Sequence, residues 1–287
     1  AVGKWERGES MPDITTLNRL AELLGVDLNF FSDSFVSKDQ DSISPKISNT
    51  NETSKKISKK FDWNWDMSQG NWTDADFSGL KNLKEKFSSS NMKNCKFIGA
   101  DLSGLTLGRN NIERCDFSGA NIRDSKFQYS NLSFNQFNDC SFIDSVFTKN
   151  NIEKCDFTNA DLLRLMADNL TFKKAVFNKA NLTKAQFYYS EFIETQFAES
   201  VLLMAMFDGS SLKGVDFSNV DLTQVSFNDA NLDNSVFTRS CGEYISFIGI
   251  SGQKANFDEV VFNMCNLSLA NLVAASFINA WITNSVA

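Results

Sequence analysis

The chain has 287 residues, a net charge of −7, six cysteines and no histidine. Without histidine, the usual general base, the Ser-His and Cys-His nucleophile pairs and most zinc sites are excluded. No apolar run approaches the roughly 18 residues that a membrane-spanning helix needs, so we expect no association with a membrane.

Residues 1–35 are predicted to contain a short α-helical segment. Asp13 is a candidate N-terminal cap and Gly25 a candidate stop signal. Between them the apolar residues recur at helical spacing, at Ile14, Leu17, Leu20, Ala21 and Leu24.

The Trp-Glu-Arg-Gly sequence at residues 5–8, together with this helix, resembles the C-terminal half of a Cro/repressor-type helix-turn-helix domain. In that family such a segment follows the recognition helix. The family's first two helices and nearly all of its recognition helix have no counterpart in this chain. The resemblance therefore implies a truncated remnant, and we expect no sequence-specific DNA binding.

Residues 36–60 are predicted to form a linker, because they are rich in Ser, Lys, Asn and Thr and show no hydrophobic period. Lys55-Lys56 and Lys59-Lys60 form a small basic cluster within it. Two interpretations stay open for this cluster, contact with phosphate or acidic partners and simple solvation.

Residues 61–287 follow a period of five. Stepping by five from Met67 to Ile282 visits 44 central positions, and 40 of them hold Phe, Leu, Ile, Met or Trp. Of the 27 phenylalanines, 22 occupy central positions. A period of five belongs neither to a helix nor to a strand, so it indicates a structural repeat. The four exceptions are Asn82, Ala167, Gly242 and Gly252.

Each five-residue unit is predicted to be a short extended edge followed by a corner. The central residue and the residue two before it, such as Ile122 and Ala120, point to the same side because side chains alternate. The residue between them, such as Asn121, points outward. Ser, Thr, Gly, Asn and Lys fill the other two positions, as suits a turn. Four units then close a square coil, and we expect the centres from Phe87 to Ile282 to be buried.

Triplets of the form Ala-(Asp/Asn)-(Leu/Phe), as at residues 160–162 and 230–232, resemble the pentapeptide-repeat family. The resemblance implies an all-β solenoid, a right-handed quadrilateral β-helix, and 44 units correspond to about 11 coils. The acidic residues are spread along the outside with no sign of a pocket. We therefore expect no enzymatic activity, no catalytic or metal-binding residue and no cofactor.

The first functional hypothesis is a cytoplasmic, non-enzymatic interaction or scaffold rod that forms a homodimer through its C-terminal end. The last unit is still in phase, and no amphipathic helix follows to cover it. We expect Trp281 and Ile278 at the centre of the interface. The apolar residues outside the inward positions near this end are Val261, Met264, Leu269, Val273, Ile278 and Trp281.

A second apolar set lies near the seventh coil and is a candidate patch for an unidentified protein partner. Local packing over a corner is the equally weighted alternative. The residues of this set are Tyr188, Tyr189, Ile193, Leu203, Met204 and Met206.

The alternative functional hypothesis is a DNA-mimicking inhibitor or protector of a type II topoisomerase such as gyrase, an activity that the family resemblance implies for some members. A mimic needs a sustained negative field. Here lysines and arginines dilute the acids in the middle of the repeats. The outward acids are Asp76, Asp101, Asp116, Asp156, Asp161, Asp216 and Asp221.

Two smaller expectations concern cysteines and glycines. Five of the six cysteines occupy the small inward position and are expected to be buried. A disulfide between Cys95 and Cys115 is conceivable, although a reducing cytosol argues against it. Gly242 and Gly252 leave vacancies on opposite faces, which we expect Tyr244, Ile245 or Ile250 to fill, with a local bulge as a further option.

Overall fold

The computed structural model describes residues 68–81, 83 and 87–286. The predicted N-terminal helix, the linker and the predicted boundaries of the first two domains lie outside these residues. The described residues form a parallel β-solenoid of about 10 turns, close to the 11 coils predicted, and contain no helix. In this part of the chain there is accordingly no helix that could span a membrane.

Each five-residue unit ends in a tight corner. Around Phe117, the N–H of Ala120 donates to the Phe117 carbonyl at 2.9 Å, and Gly119 has a φ of 66°. A positive φ at the third turn residue is the mark of a type II turn. Tyr129 and Phe134 occupy the same corner position, at φ 53° and 57°. Bulky residues rarely adopt such angles, so the coil geometry overrides their local preference.

The extended edges form three-residue strands that stack in parallel at intervals of 20 residues, so that Ile112 lies opposite Leu132. The strands are β1 (Asn71–Thr73), β2 (Asn91–Lys93), β3 (Thr106–Gly108), β4 (Asn111–Glu113), β5 (Lys126–Gln128), β6 (Asn131–Ser133), β7 (Val146–Thr148), β8 (Asn151–Glu153), β9 (Met166–Asp168), β10 (Thr171–Lys173), β11 (Gln186–Tyr188), β12 (Glu191–Ile193), β13 (Cys241–Glu243), β14 (Val261–Asn263) and β15 (Trp281–Thr283). Elsewhere single parallel bridges continue the same register.

Four faces follow from the 20-residue coil, and we number them in chain order. Face 1 carries the seven-stranded sheet β1-β2-β4-β6-β8-β10-β12. Face 2 carries Phe117 and its equivalents every 20 residues. Face 3 carries Ile122 and, further along, the three-stranded sheet β13-β14-β15. Face 4 carries the five-stranded sheet β11-β9-β7-β5-β3, so face 1 lies opposite face 3 and face 2 opposite face 4.

The core of face 2 is an unbroken column of stacked phenylalanine rings. Neighbouring ring centroids lie 4.7–5.4 Å apart, which is the offset-stacked range. The column explains why one residue type dominates the central positions. Its members are Phe77, Phe97, Phe117, Phe137, Phe157, Phe177, Phe197, Phe217, Phe237, Phe257 and Phe277.

At some corners the backbone hydrogen bond of the turn is missing. Polar side chains in the inward position of the next coil bond to both backbone groups instead. The Asn150 carboxamide accepts from the Ser130 N–H at 2.9 Å and donates to the Phe127 carbonyl at 2.8 Å. Ser210 bridges Ser190 and Phe187 in the same way. The sequence analysis treated this position as merely small, and it missed this hydrogen-bonding role.

The two central glycines lie on opposite faces, as predicted. The Ile245 δ-methyl lies 3.1 Å from the position that a Gly242 Cβ would take, as expected, whereas at Gly252 a δ-methyl of Leu272 on the next coil lies nearer, at 2.9 Å, than the expected Ile250, at 3.4 Å. Tyr244 takes no part and is exposed. The optional bulge is absent, because Gly242 stays in register with Phe262.

Burial of the central positions holds along most of the solenoid but was wrongly predicted for the last coil. Phe257 is 1% exposed, whereas Phe277, one coil later, is 36% exposed. Leu267, Leu272 and Ile282 are only half-buried. No further coil covers them among the described residues, which is the physical reason for the difference.

Candidate interaction surfaces

The C-terminal end of the solenoid presents an apolar platform and an open backbone edge. Each of the four faces contributes one partly uncovered central residue, namely Leu267, Leu272, Phe277 and Ile282. One coil earlier, the Phe257 N–H donates to Ser276 at 2.8 Å. The equivalent N–H groups of Leu272 and Phe277 have no acceptor within the described residues. Among the described residues, neither the side chains nor the backbone of the last coil have a covering layer.

All six residues predicted for the dimer interface are exposed, and they ring this platform. Leu269 is 87% exposed and Trp281 68% exposed. Trp281 lies beside Val261 in the register of face 3, while Ile278 lies just across the corner, on face 2. Val273 lies on face 1, and Met264 and Leu269 occupy corners. An uncovered last coil was expected from the sequence, but its central residues were predicted to be buried and so were not named as part of the surface.

The six residues of the second predicted patch are spread over three faces. Ile193 lies on face 1 and Leu203 on face 3, on opposite sides of the solenoid. Tyr188 and Met206 lie together on face 4, where the Tyr188 hydroxyl contacts the Met206 sulfur at 3.3 Å. Tyr189, 69% exposed, covers Gly209 at the corner between faces 4 and 1. Met204 is exposed at the opposite corner of face 4. The set is therefore not one continuous surface.

Each of the seven outward acids named from the sequence has a structural task. The Asp116 carboxylate accepts the Ser118 N–H at 2.9 Å and its hydroxyl at 2.6 Å, which braces the corner that follows. The Ser78 hydroxyl bond lowers the pKa of Asp76 in the same arrangement. Corresponding bonds to the residue two positions later are made by Asp101, Asp156, Asp161, Asp216 and Asp221.

These hydrogen bonds to the corner explain why the outward residue of the repeated triplet is Asp or Asn. Comparison with known families identifies the same repeat. Two models, described as a pentapeptide repeat region and as pentapeptide repeats, match residues 90–165 and residues 205–239 with 253–286. Together the matches cover 145 of the 287 residues. The chain belongs to the pentapeptide-repeat family. The fold predicted from the resemblance is thereby confirmed.

Several pentapeptide-repeat proteins of known structure are similar to this chain. HetL, from the cyanobacterium Nostoc sp. strain PCC 7120, is 18% identical, with 75% of this chain and 88% of HetL covered and a TM-score of 0.30. A trypsin-treated form of QnrB1, a plasmid-mediated fluoroquinolone resistance protein, is 15% identical, with coverage of 75% and 92% and a TM-score of 0.33. Rfr23, from the cyanobacterium Cyanothece 51142, is 14% identical, with coverage of 59% and 91% and a TM-score of 0.15.

The N-terminal resemblance is also confirmed at the level of the family. A helix-turn-helix model matches residues 1–31, which lie outside the described residues. Among curated proteins, none matched the chain.

The cysteines of the pentapeptide-repeat region are free thiols. Cys95, Cys115, Cys140, Cys155 and Cys265 are buried and Cys241 is exposed, as predicted from their positions. A hydrogen bond from Cys115 lowers the pKa of Cys95, and the same contact raises the pKa of Cys115. Among the described residues, no group of Cys, Asp or Glu is arranged to hold a metal ion.

Proposed function

We propose that this protein is a non-enzymatic interaction module that self-associates end to end through its last coil. The observation that supports this most is the uncovered platform of four apolar central residues, one from each face. In the interior of the solenoid the same positions are fully covered by the next coil. A second copy is the simplest layer that matches the platform, because its own last coil has the same size and the same apolar centres.

Burial of Phe277 illustrates what the contact would gain. Its ring stacks on Phe257 at 5.0 Å, but its other side has no ring to contact in the described part of the chain. Apolar surface removed from water contributes about 25 cal/mol per Å². Covering the platform therefore stabilises the dimer through buried apolar surface alone.

The backbone edge adds a directional component to the same contact. The N–H groups of Ala274 and Asn279, like those of Leu272 and Phe277, have no acceptor among the described residues. Exposed strand edges of this kind favour pairing with another chain. If a two-fold axis passes through the contact, the open edge of one molecule lies against the same edge of the other. Such a contact gives a closed dimer rather than a filament.

Ile278 and Trp281 are expected at the side of this contact where faces 2 and 3 meet. They are separated by one corner, and Trp281 also continues the apolar column of Val261. Tryptophan is among the residue types that most often contribute strongly to the affinity of an interface. A charge at Trp281 should therefore weaken the dimer strongly.

Sedimentation of the full chain and of Trp281→Asp at micromolar concentration tests the proposal. The control is Tyr189→Asp, because Tyr189 is 69% exposed against 68% for Trp281 but lies several coils from the end. We expect the native chain and the control to be dimers and Trp281→Asp to be a monomer. A monomeric native chain, or a Trp281→Asp variant that dimerises as well as the control, would overturn the proposal.

The second candidate function is inhibition or protection of a type II topoisomerase by DNA mimicry. The observation in its favour is that all seven outward acids lie on the two adjacent faces 2 and 3. Lys96, however, lies between Asp76 and Asp116 in the column of face 2, and Val176 follows Asp156. The negative field is interrupted, so we place this function second.

A supercoiling assay with gyrase distinguishes the two candidates. Mimicry predicts inhibition by the native chain that is lost in the triple variant Asp116→Asn, Asp156→Asn and Asp216→Asn, because three negative charges are removed. The corners should stay intact, since the carboxamide oxygen of asparagine can still accept the corner N–H. The scaffold proposal predicts no inhibition by the native chain at micromolar concentration.

A further inference from the structure

Two rows of side chains border face 1 between residues 89 and 174, and each row places an aromatic residue among cations. The row at the corner between faces 4 and 1 contains Arg109, Tyr129 and Lys149, with Ser89 before them and Asn169 after them. The row at the corner between faces 1 and 2 contains Arg114, Phe134, Lys154 and Lys174, with Asn94 before them. Members of a row are 20 residues apart, so they succeed one another at the coil spacing of roughly 4.8 Å. We call this surface the cationic face.

The aromatic residues hold the cations in place. The Arg114 guanidinium lies 5.1 Å from the centre of the Phe134 ring, and the Lys154 ammonium lies 4.6 Å from it on the next coil. The Lys149 ammonium lies 5.7 Å from the Tyr129 ring. Cations within about 6 Å of a ring are attracted to it. These long side chains are therefore oriented in advance of any binding event.

The charge of the cationic face is opposite to that of the chain. Between residues 89 and 174 it holds seven cations against two acids, Glu113 and Glu153, although the whole chain has a net charge of −7. Glu113 pairs with Arg114 and Lys93, and Glu153 with Lys173. The cations are Lys93, Arg109, Arg114, Lys149, Lys154, Lys173 and Lys174.

Three of these cations have no acidic partner among the described residues, namely Arg109, Lys149 and Lys154. All three are exposed. The surface therefore keeps positive charge that the protein itself does not neutralise.

A column of exposed asparagines runs between the two rows. Asn91, Asn111, Asn131 and Asn151 follow one another in register on β2, β4, β6 and β8. Each carboxamide has both donors and an acceptor. The column can therefore donate hydrogen bonds to a charged ligand that lies along the solenoid axis, whereas apolar residues there could not replace the ligand's hydration.

We propose that the cationic face binds the backbone of a single-stranded nucleic acid without sequence preference. The two rows run on either side of face 1, whose three-residue strands span roughly 10 Å at about 3.3 Å per residue. One extended strand fits between them with its phosphates close to both rows. The phosphates of a duplex wind around its axis and leave a straight row after a few steps.

Exposed aromatic residues add a second feature typical of single-strand binding. Surfaces of this class combine cations that follow the backbone with aromatic side chains that bases can contact. Tyr129 and Phe134 are both exposed, one on each side of the asparagine column.

The test measures binding of a fluorescent oligothymidylate to the full chain by anisotropy, at several salt concentrations. The variant Arg109→Ala, Lys149→Ala and Lys154→Ala removes the three cations without an acidic partner. The control Lys179→Ala, Lys184→Ala and Arg239→Ala removes three corner cations from other faces, so both variants have the same net charge. Thermal unfolding of both variants confirms that they are folded.

We expect the native chain and the control to bind alike, and the cationic-face variant to bind about tenfold more weakly or worse. Its binding should also depend less on salt. The slope of log binding constant against log salt concentration should fall in magnitude by about 2 for three lost phosphate contacts. No binding by the native chain, equal losses in the two variants, tighter binding of a duplex of the same sequence, or equal binding of dextran sulfate would each overturn the proposal. The last two results would assign the face to duplexes or to polyanions in general.

Discussion

The carboxamide oxygen of Asn135 accepts a hydrogen bond from the backbone N–H of Cys115 at 2.9 Å, one coil earlier. The amide nitrogen of the same side chain donates to the Ile112 carbonyl at 2.9 Å. These are the two groups that would bond to each other in a closed type II turn. Asn135 therefore replaces the missing turn bond and joins two coils through the core.

Replacement of Asn135 by alanine should destabilise the protein. Both backbone groups of the corner between Ile112 and Cys115 would remain buried without a partner, and each such group costs about 1–3 kcal/mol. The free energy of unfolding from denaturant titration measures the loss. The control is Asn131→Ala on the exposed side of face 1, which should stay within about 0.5 kcal/mol of the native value. Equal effects of the two substitutions would contradict the bridging role.

Replacement of Phe187 by alanine should cost about 3–5 kcal/mol, because the ring is fully buried on face 4 and its loss leaves a cavity. Its stacking contact with Phe207, at a centroid distance of 5.2 Å, is lost as well. Phe134→Ala is the matched control, since that ring lies exposed at a corner. Chemical denaturation of both variants would show whether the central residue is in fact the one that stabilises the coil.

Replacement of Gly242 by alanine should be more damaging than the same change at Gly214. An added Cβ at Gly242 would lie 2.8 Å from the Thr223 nitrogen and 2.9 Å from the Leu222 carbonyl carbon, which are backbone atoms of the previous coil. We expect a loss of about 1–3 kcal/mol from overpacking alone. At Gly214 the added Cβ meets nothing within 4 Å, although the φ of 70° still disfavours it. A thermal melt in which Gly214→Ala is the less stable variant would refute this account of Gly242.

One thiol of six should react quickly with a small thiol reagent under native conditions. Cys241 is exposed and the other five cysteines are buried. Burial of part of its side chain, with a further contribution from Asp221, raises the pKa of Cys241, so its rate should keep rising as the pH passes the usual thiol range near 8.5. Cys241→Ser should remove the fast phase and leave five thiols that react only on unfolding. A fast phase that persists in that variant would contradict the assignment of the reactive thiol to Cys241.

The period of five was sufficient to predict the solenoid and most of its core. Phe137 and Phe157 are 20 residues apart, so their stacking at 5.0 Å follows once four units make a coil. The approach of Ile245 to the vacancy at Gly242 was also predictable, because the large side chain moves to the neighbouring inward position, but the approach of Leu272 to Gly252 from the next coil was not. The predictable features depend on the size of each side chain and on the alternation of inward and outward positions, both of which can be read from the sequence.

Other features depend on contacts between coils that a reading along the chain does not reveal. The bridge from Asn135 to Ile112 joins residues 23 apart, and a small polar residue gives no sign of it. The cation rows became visible only as columns 20 apart, since Arg114 and Lys154 look unrelated along the chain. For the same reason the six residues of the second patch do not form one surface, because Ile193 and Leu203 are close in sequence but lie on opposite faces.

Amide hydrogen exchange of the full chain at two protein concentrations tests end-to-end association most directly. The account predicts that protection within residues 267–286 rises with concentration, because the open N–H groups of Leu272 and Phe277 acquire partners in the dimer. Protection around Tyr189 should not change, and Trp281→Asp should abolish the concentration dependence. Exchange in the last coil that is independent of concentration, or protection that rises around Tyr189 instead, would contradict the account.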